Sequence, residues 1–302
     1  MLIPRKRIGF IGPGLMGKGM AKNLIRAGFP LVVYFHQNRK PVEDLVSMGA
    51  EETDDLTTLA RKSQVIMTVV PGSAEVEEVV LGEKGLIESM KPGKILIDSS
   101  TSYPVSTRKI GTELDQRGIH MLDAPLIGSP KDADQGGLNI VVGGDKTIYE
   151  QCHDLFEVLG GKIFYVGQLG SGHTIKLINN FLWSSNLAAI CQVLTLAAKQ
   201  GIDIKSVWDV ISVSSGNSFI FQTKGRQIIN RTFELTFKLA TARKDLFYIE
   251  KLSRDAEVPL PMADITLQML DMAKGLGYGD KDISCLVRAW ENFVGVEVRG
   301  KV

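Results

Sequence analysis

The sequence has few cysteines and almost no net charge, and each of these two shortages argues against a class of protein. Cys152, Cys191 and Cys285 are scattered and include no CxxC pair, which argues against a disulfide framework or a structural zinc site and suits a reducing compartment. Thirty-five basic against 34 acidic residues leave a net charge of +1, so no overall field draws the chain to nucleic acid or an anionic membrane. We therefore expect a cytoplasmic protein with a small-molecule partner and no metal.

Long uninterrupted apolar runs are also missing. The start, MLIPRKRIGFIGPG, has too short an apolar run for a secretory signal. The segment 181–199 is apolar enough to be considered as a membrane span, but Ser184, Ser185, Asn186 and Gln192 interrupt it, and a buried helix is the better interpretation. With 302 residues, 44% of them hydrophobic, the chain is long enough for two domains with their own cores.

The N-terminal stretch RIGFIGPGLMGKGMAKNLIRAG has the order strand, glycine turn and helix that a dinucleotide site requires. Gly12 permits the tight turn, Gly14 lets the backbone approach a pyrophosphate, and Gly17 lets helix and strand pack closely. The helix N-terminus offers N–H groups and a favourable dipole to phosphates. We predict that these glycines, with Leu15 and Met16, bind the cofactor; a merely structural turn is the alternative.

The second predicted strand, PLVVYF, is not followed by the acidic residue that NAD-binding proteins usually carry about 20 residues after the glycines. The chain reads YFHQNRK there, and no carboxylate occurs until Glu43. His36, Asn38, Arg39 and Lys40 could instead surround a 2′-phosphate with donors and positive charge. This favours NADP, with NAD and a solvated loop as the alternative.

Further apolar runs alternate with helical patterns, as in a doubly wound α/β sheet. Strands are predicted at 64–71, 93–101, 119–125, 138–144 and 162–167. Loops at the carboxyl ends of such strands, carrying Val70, Pro71, Ser73 and the segment 98–101, should line the nucleotide crevice. From Gly172 onward only helical patterns remain. We predict a Rossmann-type dinucleotide-binding domain at 1–168 and an all-helical substrate and oligomerisation domain at 169–302.

A long helix of roughly 28 residues is predicted from the apolar periodicity that begins at GSGHTIKLINN and ends at Lys199. Lys176 and Asn180 are four residues apart and share one face of it. A buried lysine is costly unless it is paired or used in chemistry. The alternative is that Lys176 reaches solvent and the asparagines only cap backbone groups.

Six motifs stand in one order along the chain: GFIGPGLMGKGMAKNL, DSSTSYP, DAPLIGSPKDADQGGL, GSGHTIKLINN, KDL at 244–246 and GYGDKDIS at 277–284. Together they resemble the β-hydroxyacid dehydrogenase family over essentially the full chain. The resemblance implies an N-terminal Rossmann-type domain, a long interdomain helix and a helical C-terminal domain similar to that of 6-phosphogluconate dehydrogenase. It also implies a homodimer or homotetramer.

The family's functional residues map onto this chain by motif. The resemblance implies that Lys176 is catalytic and that Asn180 helps hold the substrate, with Asn179 completing the pair. It places Thr101 near the nicotinamide and substrate, and Lys244 over the cofactor. We expect desolvation and a nearby cation, such as Lys244, to lower the pKa of Lys176 towards neutrality.

Two other polar residues need an interpretation beside that assignment. His173, three residues before Lys176, is the rival acid/base among the four histidines. Asp282 in GYGDKDIS is expected to cap a helix N-terminus, because an aspartate directly before a helical stretch usually does so.

One motif departs from the family pattern. Where members commonly read DAPVSGG, this chain reads DAPLIGS, which puts Ile127 at the serine and Ser129 at the second glycine. Gly128 can still offer a backbone N–H and Ser129 a relocated hydroxyl to a substrate, so an altered substrate pocket is expected.

Three functions follow from the sequence. The leading hypothesis is an NADP-preferring dehydrogenase or reductase of a small 3-hydroxy acid and its semialdehyde. Because the LIGSP loop resembles that of imine reductases, reduction of a cyclic imine is the second, although those enzymes usually lack the lysine kept here. A catalytically silent nucleotide-binding module is the third.

Overall fold

The protein is described by a computed structural model that covers residues 5–36 and 38–302. The chain divides into two compact units, the first ending at Lys176 and the second running from Leu177 to Val302. The predicted domain boundary after residue 168 precedes this division and stays a prediction.

The N-terminal unit contains a mostly parallel sheet. Its strands are β1 Ile8–Ile11, β2 Leu31–Tyr34, β3 Glu51–Thr53, β4 Val65–Thr68, β5 Ile95–Asp98, β6 His120–Asp123, β7 Leu126–Ile127, β8 Leu138–Gly144 and β9 Gly160–Tyr165. The order β3-β2-β1-β4-β5-β6 is parallel throughout, β8 pairs antiparallel with β6 and β7, and β9 pairs parallel with β8. This is the doubly wound arrangement that the alternating motifs predict.

Helices follow the strands. They are α1 Gly17–Arg26, α2 Lys40–Ser47, α3 Leu56–Lys62, α4 Ser73–Leu81, α5 Pro104–Asp115, α6 Pro130–Gln135 and α7 Lys146–Leu159. Successive strand side chains point to opposite faces, so Val65 and Met67 join one hydrophobic core whereas Ile66 joins another. The first core includes residues of α1 and α7, and the second includes residues of α4 and α5. Helices therefore cover both faces of the sheet.

The second unit is helical. The long helix α8, Ser171–Lys199, enters it, followed by α9 Ile204–Ile211, α10 Arg226–Ile229, α11 Leu239–Asp255, α12 Pro261–Ala273 and α13 Leu286–Val294. Single π-helical turns occur at Phe221–Gly225 and Lys274–Tyr278, and 3₁₀ turns at Leu86–Glu88 and Ile283–Cys285. Among the described residues of this unit, β-type pairing is limited to an isolated bridge between Lys238 and Asp282. The prediction of a helical C-terminal region is confirmed.

The strands predicted from apolar runs are confirmed within a few residues, but β3 and β7 were not predicted. β3 reads Glu-Glu-Thr at the sheet edge, so it has neither an apolar run nor alternation, and β7 has only two residues. Such short segments form by pairing with existing strands, which local sequence does not reveal.

The predicted long helix is confirmed, with 29 residues against about 28 expected. By length and composition α8 could also cross a membrane, although the core helix of a soluble protein passes the same criterion. Leu187, Cys191 and Leu194 on α8 are completely buried in the hydrophobic core of the second unit. Packing within the protein therefore accounts for one part of its apolar character, whereas Leu182, Val193 and Leu196 on the same helix are more than half exposed.

All three cysteines are free thiols and all are buried. Burial raises the pKa of Cys152 to about 12, and burial likewise raises the pKa values of Cys191 and Cys285. Because the thiolate is the reactive form, these cysteines serve as small core side chains.

Candidate active site

The glycine turn after β1 has the geometry that its sequence predicts. Gly12 has a φ of +92°, and a Cβ there would lie 2.2 Å from the carbonyl oxygen of Val69. A Cβ on Gly17 would lie 2.2 Å from the carbonyl oxygen of Gly12, whereas a Cβ on Gly14 would have nothing within 4 Å. The first and third glycines are thus required by close packing, and the second faces open space.

The helix that follows this turn is suited to an anion. Met16 is the N-cap of α1 and provides no side-chain hydrogen bond, and the first turn contains no acidic residue. Leu15, beside it, is exposed. Together with the open space at Gly14, these features fit the pyrophosphate of a dinucleotide at the helix N-terminus.

The loop after β2 contains a partner that the sequence did not suggest. Arg39 forms a bidentate ion pair with Glu52 on β3. Its Nε lies 3.1 Å from Oε2, and its Nη2 donates a hydrogen bond to Oε1. The hydrogen bond from Arg39 lowers the pKa of Glu52. Asn38 accepts a hydrogen bond from the Lys40 backbone N–H, and His36 is exposed. A carboxylate therefore does stand near the end of β2, and it comes from the unpredicted strand β3.

The loops after β4 and β5 are tied together by side-chain hydrogen bonds. The Val70 N–H donates to Ser100 Oγ at 3.0 Å, and the Tyr103 N–H donates to Ser73 Oγ at 2.6 Å. The predicted crevice residues of the two loops are thus neighbours. Pro71, in the first loop, is exposed, and Thr101, in the second, is partly buried.

Lys176 is partly buried on α8 and its Nζ donates a 2.6 Å hydrogen bond to the carbonyl oxygen of Leu126 on β7. The next residue on that strand is Ile127, followed by the exposed Gly128, whose φ is +150°. The lysine that the sequence singles out therefore contacts the strand that carries the altered LIGSP loop.

Ser129, the predicted donor of a relocated hydroxyl, already has partners. It is the N-cap of α6, and its Oγ donates to Asp132 Oδ2 at 2.6 Å while accepting from the Asp132 N–H at 3.3 Å. This reciprocal capping box satisfies the start of a short helix. A substrate would have to share that hydroxyl.

A second group of predicted residues comes together in the helical unit. Asn180 Nδ2 donates to Asp245 Oδ2 at 2.7 Å, and Asn180 Oδ1 accepts from Asn179 Nδ2 at 3.1 Å. Lys244 Nζ lies 3.1 Å from the other oxygen of Asp245, and its ammonium also lies over the ring of Tyr248 at 5.1 Å. Asp245, almost wholly buried, thus connects the asparagine pair to Lys244.

Comparison with known proteins supports a dinucleotide-binding enzyme. Residues 7–167 match the family model described as the NAD binding domain of 6-phosphogluconate dehydrogenase, and residues 170–290 match that of the NAD-binding region of NADP-dependent 3-hydroxyisobutyrate dehydrogenase. The chain is 33% identical to a 2-(hydroxymethyl)glutarate dehydrogenase of Eubacterium barkeri, over 97% of this chain and 98% of that protein. The chain belongs to the β-hydroxyacid dehydrogenase family.

Other members of the β-hydroxyacid dehydrogenase family agree. A 2-hydroxy-3-oxopropionate reductase of Escherichia coli K12 is 34% identical over 94% of this chain and 97% of its own. The crystal structure of a 3-hydroxyisobutyrate dehydrogenase from Salmonella typhimurium superposes with a TM-score of 0.83 at 26% identity, covering 94% of this chain and 99% of that one. This β-hydroxyacid dehydrogenase is therefore an NAD(P)-dependent oxidoreductase.

Sequence reasoning missed three polar residues of this β-hydroxyacid dehydrogenase. Glu52 lies on an edge strand too short to predict, and Asp245 reads as an ordinary residue of a helix until Asn180 is found against it. Asp123, from the DAP motif, accepts the Gly170 and His173 N–H groups at 2.7 Å each and so satisfies the start of α8. Among the described residues, no group of three or more His, Cys, Asp or Glu side chains could hold a metal ion.

Proposed function

We propose that this enzyme transfers a hydride between NADP and a small 3-hydroxy acid or its semialdehyde, with Lys176 as general acid and base. The observation that carries the proposal is the partly buried Lys176 ammonium held against the Leu126 carbonyl, in the unit that also contains the glycine turn. Two relatives are named as a hydroxy-acid dehydrogenase and an oxo-acid reductase, which supports the same reaction class.

A bound nicotinamide supplies or accepts the hydride, so the protein has to position the substrate and manage one proton. In reduction Lys176 donates a proton from Nζ to the substrate carbonyl oxygen; in oxidation a neutral Lys176 takes the proton of the hydroxyl. An ammonium has three N–H donors. The bond to the Leu126 carbonyl occupies one of them and fixes where the nitrogen lies.

Substrate binding is proposed for Thr101, Ile127, Gly128, Ser129, Asn179 and Lys244, together with Asn180. Asn180 would hold the reacting hydroxyl or a neighbouring polar group. Its amide nitrogen is committed to the buried Asp245 carboxylate, so the orientation of the amide is fixed before a substrate arrives. Fixed polar groups of this kind reduce the reorganisation needed in the transition state.

Cofactor binding is proposed for the glycine turn, with Gly12, Gly14, Leu15, Met16 and Gly17 around the pyrophosphate. The loop residues Val70, Pro71, Ser73 and Thr101 and the Lys244 ammonium would contact the rest of the cofactor.

The preference for NADP rests on the loop after β2. His36, Asn38 and Arg39 would receive the 2′-phosphate, because a guanidinium binds phosphate oxygens in the same forked geometry as it binds a carboxylate. Since Arg39 is paired with Glu52, the phosphate would have to compete with Glu52 for the guanidinium.

Ile127 favours a second candidate function. It replaces a family serine with an apolar side chain next to the contact of Lys176, and an apolar wall suits a cyclic imine better than a carboxylate. Imine reduction needs the same hydride and one proton for nitrogen. It therefore competes with the leading proposal for the same residues.

The test is the initial rate of NADPH and NADH oxidation with a panel of acceptors: succinic, methylmalonate and tartronate semialdehydes, glyoxylate and a cyclic imine. Wild type, Lys176→Ala and Lys162→Ala are compared, because Lys162 is an exposed lysine on β9. We expect turnover of at least one aldehyde acid with NADPH, lost only in Lys176→Ala. Turnover of the imine alone would favour the second candidate, and wild-type rates in Lys176→Ala would exclude the proposed acid/base.

We also propose a cytoplasmic homodimer or homotetramer. Val213, Phe219 and Phe293 of the helical unit are large apolar side chains that are mostly exposed, and oligomer interfaces commonly cover such residues. Light scattering coupled to size-exclusion chromatography measures the assembly, and a monomer would contradict the proposal.

A further inference from the structure

A cluster of buried polar groups surrounds His173 in the N-terminal unit, and the proposed mechanism does not use it. His173, Asp98 and Asp123 each have 0% of their surface exposed. His173 lies on the first turn of α8, three residues before Lys176, which puts the two side chains on neighbouring positions of one helix face.

The imidazole joins α8 to two other parts of the unit. Its Nε2 is 3.1 Å from the carbonyl oxygen of Ser100, in the loop after β5, and its Nδ1 is 2.8 Å from Thr107 Oγ1 on α5. Thr107 Oγ1 also lies within hydrogen-bond distance of the Tyr103 carbonyl oxygen, at 3.2 Å. The Ser100 carbonyl belongs to the peptide whose nitrogen is that of Thr101.

The direction of one of these hydrogen bonds is fixed. A carbonyl oxygen only accepts, so Nε2 must donate to Ser100. The Thr107 hydroxyl rotates, and its one proton can point to Nδ1 at 2.8 Å or to the Tyr103 carbonyl at 3.2 Å. The bond from Nε2 to the Ser100 carbonyl is present in either case.

Charged side chains lie on both sides of the ring. Asp98 Oδ2 lies 3.7 Å from Nε2, and Asp123 Oδ2 lies 3.8 Å from Nδ1. From α5, the exposed Arg108 guanidinium lies beside Gly170, at the start of α8. Neighbouring hydroxyl and backbone N–H groups donate hydrogen bonds to both carboxylates, so this buried polar cluster is internally bonded.

We propose that His173 is a positioning residue, which fixes the Ser100–Thr101 loop against the first turn of α8 through its Nε2 hydrogen bond to the Ser100 carbonyl. It thereby sets the position of Thr101 relative to Lys176, and this part of the inference rests on the proposed function. His173 is then not the rival acid/base considered from the sequence, because it acts through Thr101 and Lys176.

The first test does not need turnover. In protein labelled with ¹⁵N at histidine, only four side chains give signals, and His173→Gln identifies those of His173. We expect a proton on Nε2 of His173, with an N–H signal that exchanges slowly because the site is buried. An Nε2 without a proton would overturn the assigned hydrogen bond to the Ser100 carbonyl.

The same spectra test the positioning of the loop. Glutamine can place its amide near the former Nε2 and reach the Ser100 carbonyl, whereas asparagine can reach only Thr107. The backbone amide signal of Thr101 should therefore move in His173→Asn and stay close to wild type in His173→Gln. Equal shifts in the two variants would contradict the proposed link.

Kinetics complete the test on the best acceptor of the panel. We expect His173→Leu to lower kcat at least about tenfold while changing the KM for NADPH less than about threefold, with His173→Gln recovering more activity than His173→Asn. His153→Gln, at a partly exposed histidine on α7, is the matched control. Wild-type kcat in all three His173 variants would refute a positioning role. An inactive wild type would refute the proposed function, and the spectra would still decide the link to Thr101.

Discussion

Lys176 Nζ donates a 2.6 Å hydrogen bond to the carbonyl oxygen of Leu126, the residue directly before Ile127. The proposed proton donor is therefore anchored to the same two-residue strand in which the sequence departs from the family pattern. In the proposed function, a change of side chain at position 127 would act on the substrate pocket and, through the backbone of β7, on the place where the ammonium is held.

Replacing Lys176 by arginine separates anchoring from proton transfer. A guanidinium can still donate to the Leu126 carbonyl, but it does not release a proton near neutral pH. We expect kcat to fall by about 10²- to 10⁴-fold while the Kd for NADPH, measured by fluorescence titration, stays near wild type. Lys162→Arg is the control, and substantial activity in Lys176→Arg would argue against the acid/base role.

Exchanging Ile127 for threonine or valine tests the altered pocket. The two replacements have nearly the same shape, and only threonine brings a hydroxyl. One added hydrogen bond to a charged group contributes about 1.5–3 kcal/mol, so kcat/KM for a semialdehyde carboxylate should be at least about tenfold higher in Ile127→Thr than in Ile127→Val. Equal values would mean that position 127 does not contact the carboxylate.

Arg39→Ala tests the preference for NADP. Loss of a charge-assisted contact to the 2′-phosphate should raise the KM for NADPH by about tenfold or more, with little effect on NADH. Arg61→Ala, at an exposed arginine on α3, serves as the control. An equal effect on both cofactors would remove Arg39 from the 2′-phosphate site.

The buried ion pair of the helical unit makes a prediction about stability. Lys224 is 6% exposed and Asp282 is 1% exposed, and Lys224 Nζ lies 2.8 and 2.9 Å from the two carboxylate oxygens. Lys224→Gln leaves a buried carboxylate without its cation, so we expect the free energy of unfolding in urea to fall by about 3–5 kcal/mol. Lys205→Gln, in the exposed pair with Asp209, should change the free energy of unfolding far less, because solvent screens that pair. Similar losses in the two variants would contradict this account.

The Asp282 carboxylate also makes the stability of the protein depend on pH. Burial by itself would raise the pKa of Asp282, but hydrogen bonds from Lys224 and Ser284 and the charge of Lys224 together lower it below its ordinary value. A lowered pKa in the folded state adds stability above the unfolded pKa, near about 3.9, and this contribution is lost as the pH falls through the folded pKa. The difference in unfolding free energy between wild type and Asp282→Asn should therefore shrink below about pH 4. A difference that stays constant to pH 2 would exclude Asp282 as the source.

Local patterns predicted much of this fold, and contacts distant in sequence account for what they missed. The turn at Gly12 and Gly17 can be predicted because a single motif spans it. Helix α8 can be predicted because its apolar periodicity runs for 29 residues. Asp282 was expected as a cap, and it does accept the Ser284 N–H. Its pairing with Lys224, 58 residues earlier, has no local signal, because the pair forms only when the helices pack.

The candidate site shows the same contrast between residues found from local motifs and partners distant in sequence. Lys176 and Asn180 are recognisable because their motif is contiguous, whereas their partners Leu126 and Asp245 lie 50 and 65 residues away. Glu52 was missed for a different reason, since its strand has three residues and forms only by pairing with β2.

The three buried thiols have a practical consequence for studying motion in this enzyme. Because Cys152, Cys191 and Cys285 are all shielded and the pKa of Cys152 is raised to about 12, maleimide dyes should leave the native protein unmodified. A single cysteine introduced at an exposed position, such as Lys162, would then be the one labelled site. Fluorescent reporters can be attached to the otherwise natural chain without first removing any of its own cysteines.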